Sequence, residues 1–540
     1  MFDFTDEQNT AISFESSMVL TACPGSGKTT VMVEKIRREL NNIPIYKGVI
    51  GITFTVKASS ELKKKCKKDG FNTKCSFFGT IDSFCLVEII YPFLYSIHLN
   101  IPSNLETVSY FELDVEDRLG LPDLSLPGNL ITTGNFHEYF DAIYKLISKG
   151  ILLLEANGVL ANKILESSIS CRRYIKSRYT AVYVDEYQDS SESQHALFLY
   201  LRSLDLTCTA VGDVQQSIYA FRGSNPKYIN ELMSNKLFKA LSITVNHRCH
   251  PSIINYASRL YDENSLLLTT DVNRVLLWDL NGDPSECATT IGNSIKKLKH
   301  DNENLALKDI AVLVRNNSSL DVMKSSLNVP LRIYEDISLS KINTLSAIVA
   351  NSMLKYYFDH KFLISDVMDV LSKNMDCRNV NKSVISGFIR LVRNEIPDNL
   401  IVYINSFLYK LKQSPLSHVE EKEICKILTD EYLIKQYKPI NDNEVQVMTL
   451  HKAKGLEFKI VYHMDLYDWV MPKRVYVAGS YDLIYENYDQ CLNLHYVGIT
   501  RAIEYCVLVT SNKRFGFQGK VVNGNPSQFL SLPQLAILRK

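Results

Sequence analysis

A short apolar run, Met18 to Leu20, leads into Ala22-Cys23-Pro24-Gly25-Ser26-Gly27-Lys28-Thr29-Thr30. A glycine-containing loop between a strand and a helix is a phosphate cradle, which commits this part of the chain to an α/β layer. Gly25 and Gly27 carry no Cβ, so the backbone can curl and aim its N–H groups inward. Lys28 supplies a point charge for β/γ-phosphates, and the Thr29 hydroxyl can bind Mg²⁺. A helix starting near Lys28 adds the positive end of its dipole. Ala22 stands where the strict pattern has its first glycine. The loop implies a nucleoside triphosphate and leaves the use of its energy open.

At 540 residues the chain exceeds one core, and two to four domains are expected. Its net charge of +1 means that any basic surface must be local. No apolar run reaches the roughly 18 residues of a membrane span, and the acidic start lacks a signal-peptide pattern. The 12 cysteines form no C-x-x-C pair, which argues against zinc ribbons, iron–sulfur clusters and disulfide scaffolds. A reducing, cytoplasmic setting is the expectation.

Apolar runs at 18–21, 49–54, 181–184, 207–211 and 242–245 read as buried parallel strands. A second set lies at 310–314, 445–449, 459–463 and 506–510. Two parallel α/β sheets follow, with mostly helical insertions at 86–175 and 345–440.

Two strand ends carry further chemistry. Ala181 to Val184 runs into Asp185-Glu186-Tyr187-Gln188-Asp189. There Asp185 can hold Mg²⁺, and Glu186 can polarise an attacking water. Val211 runs into Gly212-Asp213-Val214-Gln215-Gln216, and a glutamine such as Gln216 can orient water at a γ-phosphate. Tyr219, Phe221 and Arg222, just beyond, offer flat faces and a cation for stacking on unpaired bases. Arg248 and Arg501 lie in the second sheet-like half, where a guanidinium brought across a cleft would make hydrolysis depend on closure.

These blocks resemble, in order, those of superfamily 1 DNA helicases of the UvrD/Rep/PcrA type. Thr5-Asp6-Glu7-Gln8 resembles the glutamine motif, and Phe54-Thr55-Val56-Lys57-Ala58 and Gly79-Thr80-Ile81-Asp82-Ser83-Phe84 resemble DNA-touching blocks. Asn246-His247-Arg248, Thr449 to Phe458 and Tyr496 to Ala502 are similar to the fourth, fifth and sixth motifs. The resemblance implies two RecA-like domains: an ATP-binding domain at 1–85 and 176–242, and a second at 243–344 and 441–540. It implies ATP and Mg²⁺ as cofactors, with Thr29 and Asp185 on the metal. Catalysis falls to Lys28, Thr29, Asp185, Glu186, Gln216, Arg248 and Arg501. The nucleotide would be held by residues 22–30 and by Gln8, Lys35, His247, Gly455 and Glu457. Of these, Gln8 would read adenine and Glu457 would hold the ribose. Single-stranded DNA would meet Phe54, Thr55, Lys57, Thr80, Tyr219, Phe221, Arg222 and His451, with stepping 3′ to 5′.

Several residues depart from the family pattern. His247 replaces an adenine-stacking tyrosine, Lys35 an arginine, Phe221 a tryptophan and Asp82 a histidine, which puts a carboxylate where a DNA phosphate would lie. The insertion 345–440 is about half the usual length. Glu61 to Lys68 and Arg172 to Arg178 are basic stretches that suit either DNA phosphates or a solvated face. The compact insertion, with Asn246 to Pro251 and Ile81 to Phe84, is also similar to the UvrD-like subunit of Gabija anti-phage systems. That resemblance implies response to DNA ends and an OLD-family nuclease as partner. The expected functions are a single-strand DNA translocase or helicase, in defence or repair, or a DNA-sensing ATPase that regulates such a nuclease with little unwinding.

Overall fold

Apolar runs bounded by polar residues become parallel strands here, and the phosphate-loop sequence follows the first of them. The computed structural model describes residues 4–97, 101–102, 105–126, 128–220, 223–375, 381–475, 484–516 and 519–540. The chain divides into two compact units. One comprises Met1–Val245, Ser340–Met353 and Leu363–Ser417; the other comprises Asn246–Leu339, Leu354–Phe362 and His418–Lys540.

The first unit contains β1 (Met18–Ala22), β2 (Gly48–Ile52), β3 (Phe77–Gly79), β4 (Glu106–Val108), β5 (Ile151–Leu153), β6 (Tyr179–Val184), β7 (Thr207–Gly212) and β8 (Lys239–Ile243). Six of them form one sheet in the order β3-β2-β6-β7-β1-β8. Every pairing is parallel. Both faces are covered, as a parallel sheet requires. Met18, Leu20 and Tyr183 pack with Val31, Met32 and Ile36 of the helix Lys28–Asn42. Val19, Ile50 and Val182 face the opposite way, into a larger core. That core includes the 86–175 segment, which is helical at Phe136–Ser148, Asn157–Ser167 and Ile169–Arg178 and adds the parallel pair β4 and β5.

The second unit contains β9 (Val275–Leu280), β10 (Ile310–Val314), β11 (Leu331–Tyr334), β12 (Val445–Thr449), β13 (Phe458–His463) and β14 (Ala502–Ser511). They form a parallel sheet ordered β11-β12-β10-β13-β14-β9. A small hairpin, β15 (Lys513–Phe515) and β16 (Val521–Asn523), follows. The described residues of 345–440, most of which belong to the first unit, are mostly helical, as expected, at Leu345–Phe358, Ile364–Asn374, Lys382–Leu391, Leu400–Lys410, His418–Thr429 and Glu431–Tyr437.

All eight interior strands of the two large sheets coincide with the apolar runs of the sequence. The differences fall on the four edge strands. β3, β9 and β11 are additional to the expected set, and β8 spans Lys239–Ile243 rather than 242–245. An edge strand pairs on one side only. β8, for example, keeps Lys239, Ala240 and Ser242 exposed, so its apolar signal is diluted. Among the described residues no helix is long and apolar enough to cross a membrane.

Candidate nucleotide site and nucleic-acid face

Three adjacent strands, β6, β7 and β1, deliver their carboxyl ends to the same edge of the first sheet. Val184 pairs with Ala210, and Gly212 pairs with Thr21. Asp185, Asp213 and the phosphate loop therefore start side by side, at the end of an open α/β sheet where ligands bind.

The loop has the backbone its glycines permit. Gly25 has φ 71° and Gly27 φ 80°. A Cβ on Gly27 would lie 2.9 Å from Gln8 Nε2. Gln8 is 6% exposed and joins two structures. Its Oε1 accepts from the Thr5 N–H at 2.9 Å, while Thr5 Oγ1 accepts from the Gln8 N–H at 3.2 Å, so Thr5-x-x-Gln8 caps the helix Asp6–Ser13 reciprocally. Gln8 Nε2 donates to the Ser26 carbonyl at 2.9 Å. Ser26 Oγ closes the loop by donating to the Cys23 carbonyl at 2.8 Å. Cys23 is tied to Ile243 and Thr244 at the end of β8. Burial, reinforced by the Asp213 charge, pushes its thiol up to about 11, so it is inert. The helix Lys28–Asn42 has no side-chain cap, so its first turn presents free N–H donors beside half-buried Lys28 and Thr29. Thr30 is exposed.

Between the two acidic strand ends runs a chain of hydrogen bonds. Glu186 sits at φ 55°, a left-handed conformation that costs a non-glycine residue about 1 kcal/mol or more and clusters at functional sites. Gln188 Nε2 donates to Glu186 Oε2 at 2.5 Å, and Gln188 Oε1 accepts from the Asp213 N–H at 2.9 Å. Asp213 Oδ2 accepts from Gln216 Nε2 at 2.7 Å, and Asp213 Oδ1 from the Gln215 N–H at 3.0 Å. Gln188, Asp213 and Gln216 are all buried. Burial raises the Asp213 carboxyl above its usual range, opposed by the Lys28 charge and the Gln216 bond. The expected pair Glu186 and Gln216 is thus connected through Gln188 and Asp213, two residues given no role in the sequence reading. Their signal was present: each is a polar residue close after a buried apolar strand.

The same segment carries the aromatic face. Tyr219 stacks on Phe54, ring centroids 4.9 Å apart and planes 20° apart. Thr55 Oγ1 caps the helix Val56–Lys67, leaving Lys57 exposed on its first turn. Thr80 likewise caps the helix Ile81–Phe84. Burial, with the nearby Glu155 charge, pushes the Asp82 carboxyl up to about 6. Phe221 and Arg222 lie outside the described residues. Lys35 is 6% exposed, and its Nζ donates to the Phe14 carbonyl; burial lowers its pKa to about 8. Its described partner is thus the end of the helix Asp6–Ser13.

In the second unit, Asn246 Oδ1 accepts from the N–H groups of Arg248 (2.8 Å) and Cys249 (3.0 Å), forming a tight turn. Arg248 Nε lies 2.7 Å from Glu457 Oε2, so two expected nucleotide contacts form an ion pair with each other. His247 is exposed. His451 follows β12, and Gly455 takes φ 81° in the turn before Glu457. Arg501 is 2% exposed. Its Nε donates to the Val497 carbonyl and its Nη1 to the Leu456 carbonyl, both at 3.1 Å, and Nη2 reaches Thr500 Oγ1 at 3.2 Å. Its guanidinium is therefore part of the frame that joins the helix Tyr488–Ile499 to the start of β13.

A Mg²⁺ ion fits the donors of the first unit. Thr29 contributes a hydroxyl at the helix start and Asp185 a carboxylate at the end of β6. Among the described residues no group of three or more His, Cys, Asp or Glu forms an all-protein cage. Two hard oxygen ligands completed by substrate phosphates are the usual Mg²⁺ arrangement.

The family model "UvrD/REP helicase N-terminal domain" matches residues 4–116 and 133–236, and "UvrD-like helicase C-terminal domain" matches 398–513. Gabija protein GajB of Bacillus cereus (strain VD045) is 28% identical over 527 residues, covering 92% of this chain and 94% of that protein. ATP-dependent DNA helicase Rep of Buchnera aphidicola subsp. Baizongia pistaciae is 25% identical over 655 residues, covering 99% of this chain and 95% of the relative. ATP-dependent DNA helicase PcrA of Staphylococcus aureus (strain MRSA252) is 22% identical over 638, covering 97% and 85%. The last two alignments are longer than the 540 residues present here, so those helicases carry segments that this chain lacks.

Proposed function

Because the chain belongs to the UvrD/Rep helicase family, we propose that it is an ATP-driven single-strand DNA translocase that steps 3′ to 5′. The observation that carries this reading is the continuous link from Glu186 through Gln188 and Asp213 to Gln216, with Tyr219 three residues further along and stacked on Phe54. One short segment thus joins a candidate γ-phosphate sensor to a candidate base platform.

In this reading the phosphate loop and Lys28 hold the triphosphate, and Gln8 and Glu457 bind base and ribose. Mg²⁺, held by Thr29 and Asp185, would neutralise phosphate charge. Glu186 orients and deprotonates the attacking water. Gln216 senses the γ-phosphate and passes its loss to Tyr219. Arg248 and Arg501 of the second unit supply cationic charge to the transition state, which makes turnover conditional on their engagement. Phe54, Thr55, Lys57, Thr80, Tyr219 and His451 meet the strand, with Phe221 and Arg222 as further contacts. ATPase assays with and without single-stranded DNA test the reading; absence of stimulation sinks it, as does a Lys28→Ala variant with unchanged turnover.

A second reading is favoured by the Gabija relative, whose alignment covers nine-tenths of both chains without the extra length that Rep and PcrA require. Here the same ATPase senses DNA ends and regulates an OLD-family nuclease, in anti-phage defence and in the cytoplasm. Co-expression with such a nuclease distinguishes the two. A stable complex with little strand displacement supports this second reading, and a lone protein that unwinds long duplex contradicts it.

A further inference from the structure

The turn that carries Glu186 and Gln188 is gripped by a group the nucleotide chemistry does not itself use. His195, on the helix Glu192–Ser203, is 8% exposed. Its Nδ1 lies 2.8 Å from the Tyr187 hydroxyl, and its Nε2 lies 3.4 Å from Glu231 Oε2. Its ring stacks on Tyr228 with centroids 4.8 Å apart. Tyr187 is 1% exposed and sits in the chain between Glu186 and Gln188.

The proton positions follow from the partners. Burial lowers the His195 pKa, outweighing the nearby carboxylates of Glu231 and Glu192, and the Lys227 charge acts in the same direction as burial. The neutral ring carries one N–H. A carboxylate only accepts, so that proton sits on Nε2 facing Glu231, and Nδ1 accepts from the Tyr187 O–H. A phenol is protonated at neutral pH, so the Tyr187 O–H is the donor to Nδ1 at 2.8 Å. The relay has one internally consistent hydrogen-bond direction, Tyr187 to His195 to Glu231.

Glu231 belongs to the helix Lys227–Ser234, which follows the segment carrying Gln216 and Tyr219. The same helix presses on the turn a second time. A Cβ on Gly212 would lie 2.5 Å from Gln188 Oε1 and 2.8 Å from Ile229 Cδ1, so Gly212, Gln188 and Ile229 are close-packed. The Asn225 N–H, just ahead of the helix, donates to the Ser190 carbonyl at the end of the turn.

We propose that His195 is a positioning residue for ATP hydrolysis. Through Tyr187 it fixes the turn bearing Glu186 and Gln188, and through Glu231 it ties that turn to the helix following the Tyr219 segment. The inference rests on the translocase reading above. It adds that the water-orienting carboxylate is set from the helix side as well as through Gln188 and Asp213.

The test is steady-state ATPase kinetics at saturating single-stranded DNA for Tyr187→Phe, His195→Gln, His195→Asn and the double variant Tyr187→Phe/His195→Gln. Loss of one buried hydrogen bond at the turn is expected to lower kcat about fivefold in Tyr187→Phe and in His195→Gln, with KM for ATP within about twofold of wild type. The double variant should lose no more than either single change, since both break the same link. His195→Asn, whose side-chain oxygen can reach the Nδ1 position, should keep kcat within about twofold of wild type; it also shows whether the helix tolerates a change at this position. Unchanged kcat in both single variants, multiplied losses in the double variant, or a change confined to KM would overturn the inference. A wild type with no DNA-stimulated turnover overturns the translocase reading and this inference with it, whereas an active wild type with unaffected variants overturns only the latter.

Discussion

The Gln188 side-chain carbonyl accepts the Asp213 backbone N–H at 2.9 Å across 25 residues of sequence. That bond fastens the end of β6 to the end of β7, and the same amide's Nε2 holds Glu186. The two acidic strand ends are therefore tied together through one side-chain amide. Gln188→Ala removes both contacts and leaves a buried N–H without its acceptor. Turnover is expected to fall about tenfold or more, with a lower Tm in thermal unfolding.

Arg248 and Arg501 should separate on stability. Arg248 is half-buried and paired to Glu457, whereas Arg501 is 2% exposed and bonded to the Val497 and Leu456 carbonyls. Each arginine-to-alanine change is expected to reduce kcat about a hundredfold or more. Arg501→Ala should also lower Tm by several degrees, because it empties the space of a buried side chain and removes its bonds to the Val497 and Leu456 carbonyls, while Arg248→Ala should leave Tm nearly unchanged. Calorimetry beside the ATPase assay reads both.

The Phe54 and Tyr219 stack should respond differently from Lys57. Base stacking is worth about 1–3 kcal/mol, and because it neutralises no phosphate it adds nothing to the salt slope. Phe54→Ala is expected to weaken single-strand binding about tenfold at every salt concentration. Lys57→Ala should weaken it mainly at low salt and reduce the slope of log affinity against log salt by about one. Fluorescence anisotropy across a salt series checks this.

Asp82 gives a pH signature. Its carboxyl titrates at about 6 in the folded chain, against 3.8 for the free group, because burial and Glu155 disfavour the charge. Between those values the folded state binds more protons than the unfolded one. Stability from this group is therefore present at low pH and lost as pH rises through 6. Asp82→Asn is expected to raise Tm by about 2–4 °C at pH 8 and to give no gain near pH 4, read by thermal melts at both values.

The residues of the candidate site were nominated from the sequence because their chemistry is local. A phosphate loop and an acidic strand end each occupy a few consecutive residues at the end of a buried apolar run, the capping pair Thr5 and Gln8 spans four residues at a helix start, and all eight interior strands announced themselves as apolar runs. Edge strands did not, since one open side dilutes the apolar signal. Contacts between distant segments did not either. Nothing in the one-dimensional pattern places His195 against Tyr187, Gln188 against Asp213, or Arg248 against Glu457. Nor does it show that the Arg501 guanidinium also donates to the Val497 and Leu456 carbonyls of its own unit.

Whether ATP chemistry and strand contact share one segment is read from ATP turnover against single-stranded DNA concentration for wild type and Gln216→Ala. Wild-type turnover is expected to rise at least about tenfold with DNA. In Gln216→Ala, DNA should still bind but that rise should be lost. Turnover indifferent to DNA in the wild type, or full stimulation in Gln216→Ala, would contradict a shared segment.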